Sequence, residues 1–206
     1  MAVSGTKRVK GDAVWSVPTL RGVAHRYAFF ASMVAAPVAV WVAPTAHSRV
    51  AAGIFVASML ALFGVSSVYH GFFWEERTRL WLRRLDHTMI YVLIAGCYTP
   101  FGMVLLSTEK GDAVLWALWA IAAVMVPMNL LWARRPKTLN AVLGTCAGWL
   151  TAVTLPDMAD AGGMIVPSLL LLGGVFHTAG AAVYGLKRPS LRSGVFEYHE
   201  AFHALV

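Results

Sequence analysis

Val50-Ala51-Ala52-Gly53-Ile54-Phe55-Val56-Ala57-Ser58-Met59-Leu60-Ala61-Leu62-Phe63-Gly64-Val65-Ser66-Ser67-Val68-Tyr69-His70-Gly71-Phe72-Phe73 contains no Asp, Glu, Lys or Arg. As a helix rising 1.5 Å per residue it covers about 36 Å, more than the ~30 Å hydrocarbon core of a bilayer. A run of this kind spans the membrane as a helix, because lipid offers no partners to backbone N–H and C=O groups and the helix satisfies them internally. Near its end, Ser66-Ser67-Val68-Tyr69-His70 interrupts the apolar pattern. Ser66 and His70 are four residues apart and share one helix face. A histidine inside a span is costly unless it faces the bundle interior and finds a partner, which makes His70 a candidate functional residue; snorkelling to the interface is the alternative.

The rest of the chain repeats this design. Tyr27 to Pro44, Leu85 to Ser107, Ala113 to Trp132, Leu139 to Leu155 and Met164 to Leu186 are further apolar runs of spanning character, and a seventh begins near Val195. The 206 residues are 58% hydrophobic and only 13% charged, with a mean hydropathy of +0.65. Soluble domains are not composed this way. The expected fold is therefore an all-α integral membrane protein, a seven-transmembrane helix bundle over 27–206 preceded by a basic leader over 1–26. The leader is too long and basic, and the run after it too much like a full span, for a cleaved secretory signal.

The net charge of +7 is not the signature of a nucleic-acid partner, because the basic residues follow the connections and form no stripe. Lys7, Arg8, Lys10, Arg21 and Arg26 precede the first span, and Arg77, Arg79, Arg83 and Arg84 lie between the second and third. Arg134, Arg135 and Lys137 separate the fourth from the fifth, and Lys187, Arg188 and Arg192 the sixth from the seventh. These are 15 of the 17 Lys and Arg residues; the opposite connections hold only Arg49 and Lys110. By the positive-inside rule the N-terminus is cytoplasmic, and seven spans place the C-terminus outside, in a multi-pass protein of the cell membrane.

Several features are expected to serve packing. Pro37 is tolerated within the first span, and Cys97 and Cys146 are buried small residues outside any disulfide framework. Gly96 permits a close helix approach, Pro100 kinks its span with Thr99 nearby to occupy a carbonyl, and Gly144 with Gly148 forms a small-residue pair. Trp74 to Arg84 is expected to be a loop facing lipid headgroups, and the stretch around Asp157 and Asp160 an acidic external loop. His177, in the middle of its span, is assigned a packing or polar contact, and His87 an interfacial position.

The chemistry centres on His199-Glu200-Ala201-Phe202-His203. Two imidazoles four residues apart stack on one helix face, and HExxH is a zinc signature whose weight depends on a third ligand. Topology supplies it. His70 ends a span running inward, while Asp86 and the His199/His203 pair open spans running outward, so all lie in the same leaflet. Three imidazoles around one Zn2+ with an open position is a catalytic arrangement. Asp86 and Ser66 are then groups that orient the ligands or water, although Asp86 at a span's start is equally an N-cap, or a direct fourth ligand.

At these positions the chain also resembles the hemolysin III group within the progestin and adipoQ receptor superfamily. The resemblance is carried by Pro18-Thr19-Leu20-Arg21-Gly22 with His25, by Ser66-Ser67-Val68-Tyr69-His70, and by Leu85-Asp86-His87 with Ala95-Gly96-Cys97-Tyr98-Thr99-Pro100-Phe101. Gly173-Gly174 with Gly180 and Tyr184, and His199 to His203, complete it. It implies seven helices with zinc held by His70, His199 and His203, and with Ser66 and Asp86 beside it. Relatives in the wider superfamily are regarded as lipid amide hydrolases, while bacterial members carry a cytolysin label. The family continues through the membrane where this sequence stops at Val206, so the seventh helix is expected to be truncated here. Three functions follow: a zinc-dependent hydrolase of lipid amide or ester bonds, a receptor-like or membrane-homeostasis protein with structural zinc, and a cytolysin. Glu200 is not needed as a base if His70 is the third ligand, which disfavours an intramembrane protease.

The charge distribution fixes an orientation that cysteine labelling reads directly. A thiol at Arg79→Cys should react only from the cytoplasmic side, and one at Lys110→Cys only from outside; the reverse pattern inverts the topology.

Overall fold

The computed structural model describes residues 7–10, 13–16, 20–106, 108–132, 137–189 and 191–206, with the backbone alone for the two short strands and for 137–138. Pro18, Thr19, Arg134 and Arg135, cited above, lie outside the described residues. Strands β1 (Lys7–Lys10) and β2 (Ala13–Ser16) form an antiparallel hairpin with Lys7 opposite Ser16. Among the described residues every other regular element is helical: α1 (Val23–Val42), α2 (Ala46–Gly71), α3 (Glu76–Pro100), α4 (Glu109–Leu131), α5 (Lys137–Trp149), α6 (Leu155–Gly162), α7 (Ile165–Leu186) and α8 (Tyr198–Leu205). A π-helical turn, Phe101–Leu105, extends α3, and a 3-10 segment, Leu150–Thr154, joins α5 to α6.

Among the described residues six helical stretches are long and apolar enough to cross a bilayer, and they coincide with the six runs found by hydropathy. Their ends differ for local reasons. The first helix starts at Val23, after Gly22 at φ 74°, which places His25 and Arg26 on α1 instead of in the leader. The third starts at Glu76, so Arg77 to Arg84 form its first turns and not a loop. Glu, Arg and Leu are strong helix formers, and hydropathy alone does not register a charged helix end. Asp86 consequently sits well inside a helix, which removes its N-cap role. The fifth continues through the 3-10 segment to Gly162, so Asp157 and Asp160 are helical; Asp157 pairs with Lys110 at 2.7 Å, tying α6 to the start of α4. The eight residues of α8 reach about 12 Å and do not span.

The helices close into a ring. α1 packs on α2, α2 on α3, α3 on α5, α5 on α7, α7 on α8, and α8 on α1, while α4 lies against α3. The main cluster is Tyr91, Ala95 and Tyr98 of α3 with Leu118, Ala122 and Met125 of α4, Ala147 of α5 and Met158 of α6. Its polar atoms are paired, as an apolar surrounding requires. Tyr91 donates to the Asn140 carbonyl at 3.1 Å, Tyr98 to Thr154 at 3.3 Å, and Trp119 to Thr99 at 3.1 Å. The Thr99 hydroxyl goes to the Ala95 carbonyl at 2.8 Å, one residue before the Gly96 carbonyl that loses its N–H partner to Pro100. The outer surfaces carry Trp41, Leu131 and Trp116, which are 80%, 80% and 73% exposed, as lipid-facing residues are.

Two packing expectations change. Cys146 is exposed and Cys97 half-buried, and a Cβ on Gly148 meets nothing within 4 Å, with only ordinary contacts at Gly144. Gly96 is the real close approach. A Cβ there collides with the Ser58 hydroxyl oxygen and lies 2.5 Å from the Ser58 Cβ, so α2 and α3 touch backbone to side chain. Gly96→Ala should therefore cost about 1–3 kcal/mol of stability in detergent unfolding, with a large part recovered by adding Ser58→Gly. Unchanged stability of the single variant contradicts this contact.

Candidate metal centre

The polar residues that interrupt α2, α3 and α8 meet at one end of the ring. The long apolar face of α2 ends in Ser66 and His70; α3 enters beside it with Asp86; α8 presents His199 and His203 one turn apart, as spacing of four on a helix dictates. His199 Nε2 lies 3.4 Å from His70 Nε2 and 2.9 Å from His203 Nε2. One ligand nitrogen from each of the three rings lies within 4.8 Å of the other two. His203 is buried, and His70 and His199 are half-buried.

The donor set fits zinc. Nitrogens bonded at about 2.0–2.1 Å at tetrahedral angles stand about 3.3 Å apart, and the separations of 2.9 and 3.4 Å bracket that value. Three neutral imidazoles also explain the closeness: a pair of Nε2 atoms can share one proton, but three directed at one point have no mutual hydrogen-bonding solution. Asp86 Oδ2 lies 3.9 Å from His70 Nε2, near enough to hold a proton beside the ring or to complete a shell. Ser66 is buried and its hydroxyl also meets the Asp86 carboxyl. All five residues singled out from the sequence thus share this place.

Residues without an assigned role complete it. His25, on the first turn of α1, is buried; its Nδ1 lies 2.8 Å from Ser66 Oγ, and its ring centroid is 4.0 Å from that of His203. Its position was discoverable: α1 and α3 run in the same direction by alternation, so the rule that groups Asp86 with His199 applies equally to a histidine opening the first span. Tyr184 of α7 stacks 5.8 Å from His199 and 4.9 Å from Phe202. Together with Ser66, Asp86, His199 and His203, both line a cavity of about 40 Å³. His87 and His177 line it too, so His87 faces the interior and not the interface. A larger apolar cavity of about 320 Å³ adjoins it, sharing Leu62, Ile90, His177 and Val206.

A family model described as Haemolysin-III related matches residues 13–206. The chain is 29% identical over 153 residues to the Hemolysin-3 homolog of Bacillus subtilis (strain 168), covering 74% of this chain and 68% of that one. It is 30% identical over 140 residues to Hemolysin-3 of Bacillus cereus, covering 68% and 64%. The matched stretches thus span about two thirds of each relative. No solved structure matches the chain.

If the three histidines form a metal site, purified protein should carry about one zinc per chain, and acid should release it as the imidazoles protonate. His203→Ala should remove most of the metal. Elemental analysis finding the same zinc in that variant eliminates the site.

Proposed function

Since the chain belongs to the Haemolysin-III related family and is a multi-pass membrane protein, with six helices among the described residues long and apolar enough to cross a bilayer, we propose that it is a zinc-dependent hydrolase of a membrane-lipid amide or ester. The observation that carries this reading is the convergence of three imidazole Nε2 atoms beside a carboxylate. His70, His199 and His203 would hold the ion. Bound by three neutral imidazoles, zinc supplies Lewis acidity that polarises a carbonyl and lowers the pKa of water toward neutrality.

The chain's own groups account for the rest. Asp86 accepts a proton from the attacking water and returns it to the leaving amine or alcohol, the ordinary work of a positioned carboxylate. Ser66, held between His25 and Asp86, keeps that carboxyl in place and can donate to a substrate oxygen. By the positive-inside rule the site lies in the cytoplasmic leaflet, at the depth where lipid carbonyls sit.

A second reading rests on the 3.9 Å between Asp86 and His70: a carboxylate that moves in as a fourth ligand closes the shell, and closed shells belong to structural zinc. The protein is then receptor-like or serves membrane homeostasis. The relatives' name points to cytolysis, but the polar residues within the described spans pair with one another, as at Tyr91–Asn140 and Tyr98–Thr154, in the manner of a packed interior.

Asp86→Asn separates the first two. In proteoliposomes containing ceramide and phosphatidylcholine, wild type should release fatty acid, and the variant should do so about 10²- to 10⁴-fold more slowly with zinc retained. Retained zinc with no hydrolysis of a broad amide and ester panel by either protein replaces the enzyme with the structural reading.

A further inference from the structure

The HExxH pattern invites Glu200 to act as a proton acceptor, and its surroundings forbid it. One step from His199 turns a side chain about 100° around the helix, away from the imidazole face. Glu200 is only 4% exposed, and both carboxylate oxygens are engaged. Oε1 accepts from Arg21 Nε at 2.6 Å, and Oε2 accepts from the Glu197 N–H at 2.8 Å, at the entry to α8. Arg21 Nη2 also lies 3.9 Å from Glu197 Oε2, and beside it the Leu20 N–H reaches the Val195 carbonyl at 3.3 Å.

The same short stretch of chain grips the other side of the centre. Gly22, at φ 74°, lies so close to α2 that a Cβ would stand 2.5 Å from His70 Cβ, and His25 bonds Ser66. Residues 21–25 therefore connect α8, through Arg21, to α2, through Gly22 and His25. Among the main helix contacts α8 has α7 and α1 as its neighbours. A rotation of α8 by one residue would carry both imidazoles off the face that meets His70. A short, charge-assisted pair with a planar, forked guanidinium restrains that rotation in a way that apolar contact does not.

We propose that Arg21 and Glu200 are positioning residues of the metal centre, a clamp from the entry of α1 that sets the rotation of α8 so that His199 and His203 meet His70. This rests on the zinc reading above. Groups that orient metal ligands from outside the coordination shell typically change affinity by about 10–100-fold when removed, and that is the effect assigned to the clamp.

The test uses the full chain in detergent: wild type, Arg21→Ala, Arg21→Lys, Glu200→Gln and the double variant Arg21→Ala/Glu200→Gln. Zinc affinity is read by chelator competition, ligand geometry by the visible spectrum after cobalt(II) substitution, and folding by helix content and the thermal midpoint of the metal-free forms. Arg21→Ala and Glu200→Gln should each weaken zinc binding about 10–100-fold and alter the cobalt spectrum while helix content stays unchanged. Arg21→Lys should recover part of the affinity, and the double variant should be no weaker than the worse single one, as two members of one pair require. If Arg21→Ala does not fold, Glu200→Gln decides by the same criterion. Arg21→Ala or Glu200→Gln within about twofold of wild type, or losses that multiply in the double variant, overturn the clamp alone. A wild type that binds neither zinc nor cobalt overturns the clamp together with the zinc reading.

Discussion

A hydrocarbon solvent gives a polar group no partner, and the protein must supply one. The backbone answers with helices, whose hydrogen bonds are internal. The side chains answer by pairing across helices: Tyr91 with Asn140, Tyr98 with Thr154, Trp119 with Thr99. Four imidazoles gathered at one end of the ring pose the same demand in a sharper form, because each ring has two nitrogens to satisfy. Among the described residues His203 Nδ1 is buried without a hydrogen bond, so the pairing at this corner is incomplete. Incomplete pairing in a low-dielectric site is costly, and such costs concentrate at functional places.

The centre depends on closure of the ring. His70 and His199 are separated by 129 positions, and Arg21 and Glu200 by 179, so neither contact is supported by local structure. α8 brings both together by packing on α7 and α1. Gly180 admits it: a Cβ at that position would stand 2.7 Å from Val206 and 3.3 Å from the Leu205 Cβ. α8 thus carries two of the three proposed ligands, held in orientation by its neighbours.

The chemistry turns on a single carboxyl. Asp86 stands 3.9 Å from His70 and is held by Ser66, close enough to handle a proton and close enough to become a ligand. With Glu200 committed to Arg21 and the Glu197 N–H, Asp86 is the carboxylate left to serve the cluster. On the proposed zinc reading, the choice between a hydrolytic and a structural site depends on which of those two positions Asp86 takes.

Sequence alone determined the solvent and the list of helices, because crossing a bilayer is a one-dimensional requirement: enough consecutive apolar residues to cover the core. It missed the charged start of α3 at Glu76 and the continuation to Gly162, since helix propensity acts where hydropathy is silent. It also grouped His70, Asp86, His199 and His203, because alternating direction fixes which span ends share a leaflet. What it did not determine is rotation about each helix axis and the order of helices around the ring, both set by side-chain packing between distant segments. Only the tertiary structure turned Cys146 outward and His87 inward, left Gly148 facing open space while Gly96 met Ser58, brought His25 to Ser66, and gave Glu200 to Arg21. Each of those outcomes is decided by which face meets which neighbour, and residue spacing along one helix carries no information about its partner's angle.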